Sequence, residues 1–141
     1  AYHTVLHRYS GDDDIITGSP VAGREHAELE HLIGYFASTL AMRTSFAGDP
    51  TFGELLERIS DNAVEAYEHH DVPFEKLVEE LRPERDLSHP PLFQVLFALH
   101  NALPMELELP GLTLSRLEPE GKTAKFDLAL HVQPRRDGSL S

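Results

Sequence analysis

The chain has 141 residues, 40% of them apolar and 8% aromatic, which is the composition of a globular domain large enough to bury a core. Twenty-four acidic against twelve basic residues leave a formal charge of −12, so nucleic-acid backbones and anionic membranes are repelled in the far field. The absence of cysteine excludes disulfides, thiolate zinc sites and a thiol nucleophile, and no apolar run approaches the ~20 residues of a membrane helix. A cytoplasmic protein with neither nucleic-acid nor membrane partners is expected.

The opening AYHTVLHRYSG reads as the last turns of a helix stopped by Gly11, so the chain is expected to begin inside an element, as an excised piece does. The acidic turn Asp12 to Asp14 releases into a short β-branched strand, Ile15 to Thr17, which Gly18-Ser19-Pro20 is expected to close. Glu25 to His31 predicts a short surface turn of helix, and Tyr35 to Thr44 a mostly buried strand.

Thr51 followed by Glu54 is a capping-box pattern and opens a helix that runs to about His69. Its apolar stripe of Phe52, Leu55, Leu56, Ile59, Ala63, Ala66 and Tyr67 is expected to face the core. A shorter helix follows from Pro73 to Leu81, and Pro83 ends it. Leu92 to His100 predicts a central strand buried on both faces. Leu107 and Leu109 alternate with glutamate, Leu112, Leu114 and Leu117 suggest another strand, and Phe126 to Val132 is the last, before a frayed tail. Helices packed on a mixed sheet with crossovers give an α/β fold, a two-layer sandwich.

Several constellations invite a chemical reading. His3 and His7 share a helical face at a spacing that can hold a metal, but no HExxH pattern or third ligand accompanies them, so surface or interface histidines and no metal site are expected. Ser19 and Ser88 lie in proline-rich turns without a GxSxG elbow. Gly18, Gly23 and Gly34 lack the spacing and the following Lys-Ser/Thr of a phosphate loop. His69 and His70 precede a helix start, where Asp71 is expected to cap free amides and complement the helix dipole. Arg24 and Arg43 can each anchor a carboxylate by a bidentate pair. Lys76, Arg82 and Arg85 form the densest basic cluster of an acidic chain, either a docking surface for an acidic partner or, for Arg85 with Asp86, a tie on the loop before the Leu92 strand.

Four phrases in fixed order carry a family resemblance: GSPVAGRE (Gly18 to Glu25), IGYFASTLAMR (Ile33 to Arg43), HHDVPFEKL (His69 to Leu77) and RDLSHPPLFQVLF (Arg85 to Phe97). They resemble G(T/S)P(I/V)AGR, (I/V)GxFVNTxxxR, (H/N)QDxPFE and RDxSRNPLFQV of the condensation domains of nonribosomal peptide synthetases. The resemblance runs from about Tyr2 to about Val132 but reaches only the C-terminal lobe of that domain, so residues 1 to 141 are expected to be one lobe of a chloramphenicol-acetyltransferase-like fold.

It implies amide-bond formation between acyl and aminoacyl thioesters held on the phosphopantetheine of peptidyl carrier domains, with no cofactor bound directly. It further implies an N-terminal lobe and an adenylation domain as partners. The family's catalytic HHxxxDG belongs to the other lobe. A match starting at His69 needs Asp at position 74 and Gly at 75, where this chain has Phe74 and Glu75, so no catalytic residue is expected here.

By the same resemblance Tyr35, Phe36, Ser38 and Thr39 are candidates to face the reaction tunnel. Ser38 stands where the family usually has Asn, and a small strand residue is the alternative reading of it. Arg24, Arg43, Asp71, Pro73, Phe74, Glu75, Arg85 and Asp86 are the motif residues with structural roles, and Lys76, Arg82 and Arg85 the carrier-docking candidates. The alternatives are a non-catalytic carrier-docking module, or a lobe of a heterocyclization or epimerization domain. Alone, the lobe is expected to be inactive and to self-associate through the apolar surface its partner lobe covers.

Overall fold

The computed structural model describes residues 1–24, 26–29, 31–83, 88–100, 111–112, 123–135 and 138–141. In chain order the elements are α1 (Tyr2–Ser10), β1 (Asp14–Val21), a single 3-10 turn (Ala27–Leu29), β2 (Ser38–Ser45), α2 (Phe52–Glu68), α3 (Phe74–Leu81), β3 (Val95–Leu99) and β4 (Leu128–Val132). Among the described residues the sheet has four strands in the order β2-β1-β3-β4. The first pair is antiparallel, while β3 runs parallel to both β1 and β4, so the expected mixed sheet with packed helices is the one observed.

One face of the β1–β2 pair makes the main core. Alternate positions of β1 put Ile15 and Thr17 on that face opposite Thr44 and Met42, and Ile15, Thr17, Thr44 and Leu40 are buried. Ile15 clusters with Phe46 and Leu55, with Leu6 of α1 and Ile59 of α2 packed against them. Polar ties fix α2 to the sheet edge: Asn62 Nδ2 donates to Arg43 O at 2.8 Å, and Arg58 Nη1 donates to Ser45 O and Ala47 O at 3.0 and 3.1 Å.

The helix signals translate into geometry. Gly11 is left-handed at φ 78° and its amide donates to His7 O, closing α1. At the start of α2 the Glu54 amide donates to Thr51 Oγ1 while Glu54 Oε2 accepts from the Thr51 amide, a complete capping box. Arg82 ends α3 in a left-handed conformation at φ 44°.

A second cluster sits at Gly18. A Cβ there would lie 2.2 Å from the Phe93 ring, so only glycine lets that ring lie over the sheet. Phe93 is buried and meets Phe74 of α3 at 5.3 Å and Phe126 at 5.9 Å between ring centroids.

Five expectations are corrected. First, β1 does not close at Gly18-Ser19-Pro20 but runs on to Val21, with Pro20 opposite Thr39. The pairing to β3 is at Gly18, and beyond it that side of β1 has no strand partner among the described residues, so the missing proline N–H breaks no ladder bond there. Second, β3 begins at Val95 because Leu92 takes φ 70° and Phe93 folds away over Gly18. Third, β3 is central but not buried on both faces. Helices α1 and α2 cover β1 and β2, leaving Val95, Leu96 and Phe97 half-buried.

Fourth, the α2 stripe is wider than one sheet face accommodates: Leu55 is buried, whereas Phe52, Leu56 and Tyr67 are exposed. Fifth, the tail is not frayed. Gln133 and Ser141 exchange two backbone hydrogen bonds around a Pro134–Leu140 bridge. Leu107, Leu109, Leu114 and Leu117 lie outside the described residues.

Candidate functional site

Three elements converge at one end of the β1–β2 pair. The chain leaves β1 at Val21, travels through residues 22 to 37 around the 3-10 turn and returns in β2 at Ser38. Opposite this loop, α2 ends at Glu68, the chain turns through His70 and Asp71, and α3 starts after Pro73. Between them lies a cleft of about 440 Å³.

Tyr35, Phe36, Ser38 and Thr39 line one wall, and Asp71, Pro73, Phe74 and Glu75 the other. The structure thus brings together two phrases more than thirty positions apart in sequence, and all four tunnel candidates sit in one depression. Its lining offers aromatic surface from Tyr35, Phe36 and Phe74, hydroxyls from Ser38 and Thr39, and carboxylates from Asp71 and Glu75. Such a surface can bind and orient an elongated, partly apolar substrate.

Two motif residues take roles other than those expected. Asp71 does not cap α3, whose N-terminal residue Pro73 carries no side-chain cap bond. Its carboxylate instead lies 3.2 Å from His70 Nε2, and His70 Nδ1 lies 2.7 Å from Tyr67 O, so the ring ties the end of α2 to the turn. The reach explains the difference: Asp71 is two residues before Pro73, whose fixed φ already sets the entry into α3. Among the described residues Arg24 anchors carbonyls and not a carboxylate. Nη1 donates to Leu29 O at 2.6 Å and Leu32 O at 2.7 Å, and Nη2 to Gly34 O at 3.1 Å.

Arg43 does make the bidentate pair, with Asp14 at 2.8 to 3.1 Å on the open side of the sheet. The hydrogen bonds from Arg43 hold the Asp14 carboxyl below the usual carboxylate range. Of the docking candidates, Lys76 Nζ lies 3.0 Å from Glu80 and 3.5 Å from Glu79 on its own helix, and Arg82 is exposed at the end of α3. Arg85 and Asp86 lie outside the described residues.

The N-terminal histidines are not simple surface residues. His3 bridges two buried hydroxyls, with Nδ1 2.7 Å from Thr44 Oγ1 and Nε2 2.9 Å from Thr17 Oγ1. Burial, aided by the nearby α-amino group, pushes its pKa below the ordinary imidazole value. It lines a second cavity of about 280 Å³ between α1, α2 and the sheet. His7 stacks on Phe46 at 4.2 Å. Among the described residues no group of three or more His, Asp or Glu side chains is placed to hold a metal.

Sequence reading missed the His3 bridge and the Arg24 clamp. Two threonines at inward strand positions, Thr17 and Thr44, were the available hint of the first. The second had none.

The sequence model of the Condensation domain family matches residues 1–141. The chain belongs to the condensation-domain family. It is 48% identical to tyrocidine synthase 3 of Brevibacillus parabrevis over 94% of the chain. It is 48% identical to chondramide synthase cmdD of Chondromyces crocatus over 99% of the chain, and 43% identical to bacitracin synthase 3 of Bacillus licheniformis over 97%.

The chain spans only 2% to 4% of the length of these relatives. The X-domain from teicoplanin biosynthesis has the same fold at TM-score 0.82 and 33% identity, with 95% of this chain and 31% of that one covered. A four-domain nonribosomal peptide synthetase bound to AMP and glycine matches at TM-score 0.83 over 99% of this chain and 12% of that one; at 21% identity it bears on the fold alone. Condensation domains of this family thus share the α/β architecture described above.

Proposed function

We propose that residues 1 to 141 form the C-terminal lobe of a condensation domain in a nonribosomal peptide synthetase. In the parent protein the amine of an acceptor aminoacyl thioester attacks the carbonyl of a donor acyl thioester. The C–N bond forms, the C–S bond breaks, and the donor's phosphopantetheine leaves as a thiol once the amine proton has been transferred. The observation that supports this best is the cleft in which IGYFAST and HHDVPFE face each other.

The lobe's contribution is orientation. Phe36 and Tyr35 offer a wall for the acyl chain, and Ser38 and Thr39 offer hydroxyls to its polar groups. Holding two reactants in register supplies about 7–11 kcal/mol of a bimolecular barrier in favourable cases. Proton transfer falls to the HHxxxDG motif of an N-terminal lobe, because this chain has no such motif. Carrier domains dock along α3, where Lys76 in its first turn and Arg82 at its C-terminal end bring positive charge to an acidic lobe, and Arg85 follows three positions later in the sequence. The phosphopantetheine belongs to those carriers, the adjacent adenylation domain loads them, and the assembly works in the cytoplasm.

The test is condensation with donor- and acceptor-loaded carriers, comparing this chain alone with the complete domain that contains it. Product from the complete domain only is expected. Product from the isolated chain means that a catalytic group lies among these residues, and His70 and Ser38 are then the first to replace.

A second reading has one observation behind it. The X-domain, 35% identical over 96% of this chain, is known in a complex with OxyB from teicoplanin biosynthesis. On that reading this lobe docks a partner protein and performs no chemistry, and the complete domain gives no product with competent carriers.

A further inference from the structure

Among its described residues the loop between β1 and β2 has little regular structure to hold it, a single 3-10 turn and the bonds Leu29 N to His26 O and Leu32 N to Leu29 O. Nor does apolar burial hold it, since Ile33 and Tyr35 are 104% and 91% exposed. A loop this long with exposed apolar tips is mobile unless its backbone carbonyls are bound elsewhere.

Arg24 binds them. Its guanidinium sits inside the curve of the loop, with three donor bonds to the carbonyls of Leu29, Leu32 and Gly34. The same group lies 4.4 Å from the centre of the Phe36 ring, a cation–π stack on a residue of the cleft wall.

The neighbouring residue makes an independent contact with the same wall. Gly23 is left-handed at φ 62°, and a Cβ there would lie 2.1 Å from Phe36 O. Residue 24 therefore stacks on the ring of Phe36, and residue 23 lets the Phe36 carbonyl approach where any side chain would collide with it. The planar fork is what the site uses: one nitrogen bonds two carbonyls, the other bonds a third, and the flat face stacks on the ring, a combination that a lysine ammonium lacks.

We propose that Arg24 is a positioning residue, which sets the cleft wall at Phe36 against which the carrier-bound acyl chain is aligned. This rests on the reading of the cleft as the substrate-facing surface. Arg24 touches no reacting atom. Its effect on turnover runs through Phe36 and the Tyr35–Ser38 backbone, whereas carrier docking along α3 is untouched.

The experiment uses the complete condensation domain with Arg24→Lys, Arg24→Ala and, as a second route to the same wall, Phe36→Leu. Two readouts are taken. In condensation with loaded carriers, kcat for Arg24→Lys is expected to fall about 10- to 100-fold while KM for the carriers moves less than about 3-fold. Methylguanidinium is expected to restore part of the Arg24→Ala loss. Hydrogen–deuterium exchange of residues 29 to 37 is expected to accelerate at least about 10-fold in Arg24→Lys, with the α2 amides unchanged.

Exchange that rises while kcat stays at the wild-type value reduces Arg24 to a structural clamp and overturns the proposal. So does unchanged exchange in that segment. A wild-type domain that makes no product overturns the enzymatic reading instead, and the exchange arm still decides whether Arg24 holds the wall.

Discussion

The two ends of the β1–β2 pair are held by different forces. At the Asp14 end, Ile15, Phe46 and Leu55 are buried under α1 and α2, and cohesion comes from apolar area removed from water. At the Val21 end, the loop that forms the cleft leaves Ile33 and Tyr35 in solvent, and among the described residues the Arg24 guanidinium ties three of its carbonyls together. The first end sets whether the chain folds. The second sets where a wall stands, and it can be disturbed without unfolding the rest.

Replacements at the buried end are expected to have the largest effects. Leu55→Ala opens a cavity in the main cluster and should cost about 2–5 kcal/mol, read as a lower denaturant midpoint with an unchanged slope. An effect below about 1 kcal/mol means the cluster collapses around the gap and the two ends of the pair differ little in cohesion.

Next comes Gly18→Ala, whose new methyl meets the Phe93 ring and should cost about 1–3 kcal/mol. Combining it with Phe93→Leu should recover part of that loss, and strict additivity of the two indicates that they do not touch. Thr51→Ala removes the capping box of α2 and should cost about 1 kcal/mol, most easily seen as fraying of the first α2 turn in hydrogen exchange.

A smaller effect is expected from pH. Because the folded state lowers the His3 pKa, the unfolded chain takes up the proton first. The stability that neutral His3 contributes is fully present above its ordinary value of 6.5 and is lost as pH falls below it. Asp14 and Glu54, whose pKa values are lowered by hydrogen bonds from Arg43 and Thr51, contribute above the ordinary carboxylate values and lose their part as pH falls further. Unfolding midpoints between pH 7.5 and 5.5 should therefore fall less steeply in His3→Gln than in the wild type. Equal slopes in the two proteins would contradict the His3 bridge.

The smallest effect is expected from Arg43→Ala. Its ion pair is well formed but exposed, so the unfolding midpoint should move little, and less still at high salt.

How much of this was legible in the sequence follows the same division. The capping box at Thr51 and Glu54, the Gly11 stop and the three- and four-residue spacing of α2 are local patterns, and each appears where the spacing places it. The phrase IGYFASTLAMR also supplies cleft-lining residues, Tyr35, Phe36, Ser38 and Thr39, and HHDVPFEKL supplies the facing ones.

What escaped depends on partners distant in the chain. Whether a strand crosses Pro20 is decided by where the ladder to β3 stops. The role of His3 is decided by the registry that sets Thr17 and Thr44 side by side, 14 and 41 positions away. Arg24 had acid partners in plenty, and only the curvature of its own loop brings three carbonyls nearer.

The absence of cysteine from this chain offers a direct trial of the central claim that this cleft holds the carrier-bound substrate. Ser38→Cys in the complete domain would be challenged with a carrier whose phosphopantetheine bears a chloroacetyl group, with Ser60→Cys, on the exposed side of α2, as the control. Rapid covalent capture at Cys in place of Ser38, and only background capture at position 60, is the predicted result. Capture no faster at position 38 than at position 60 would contradict the account.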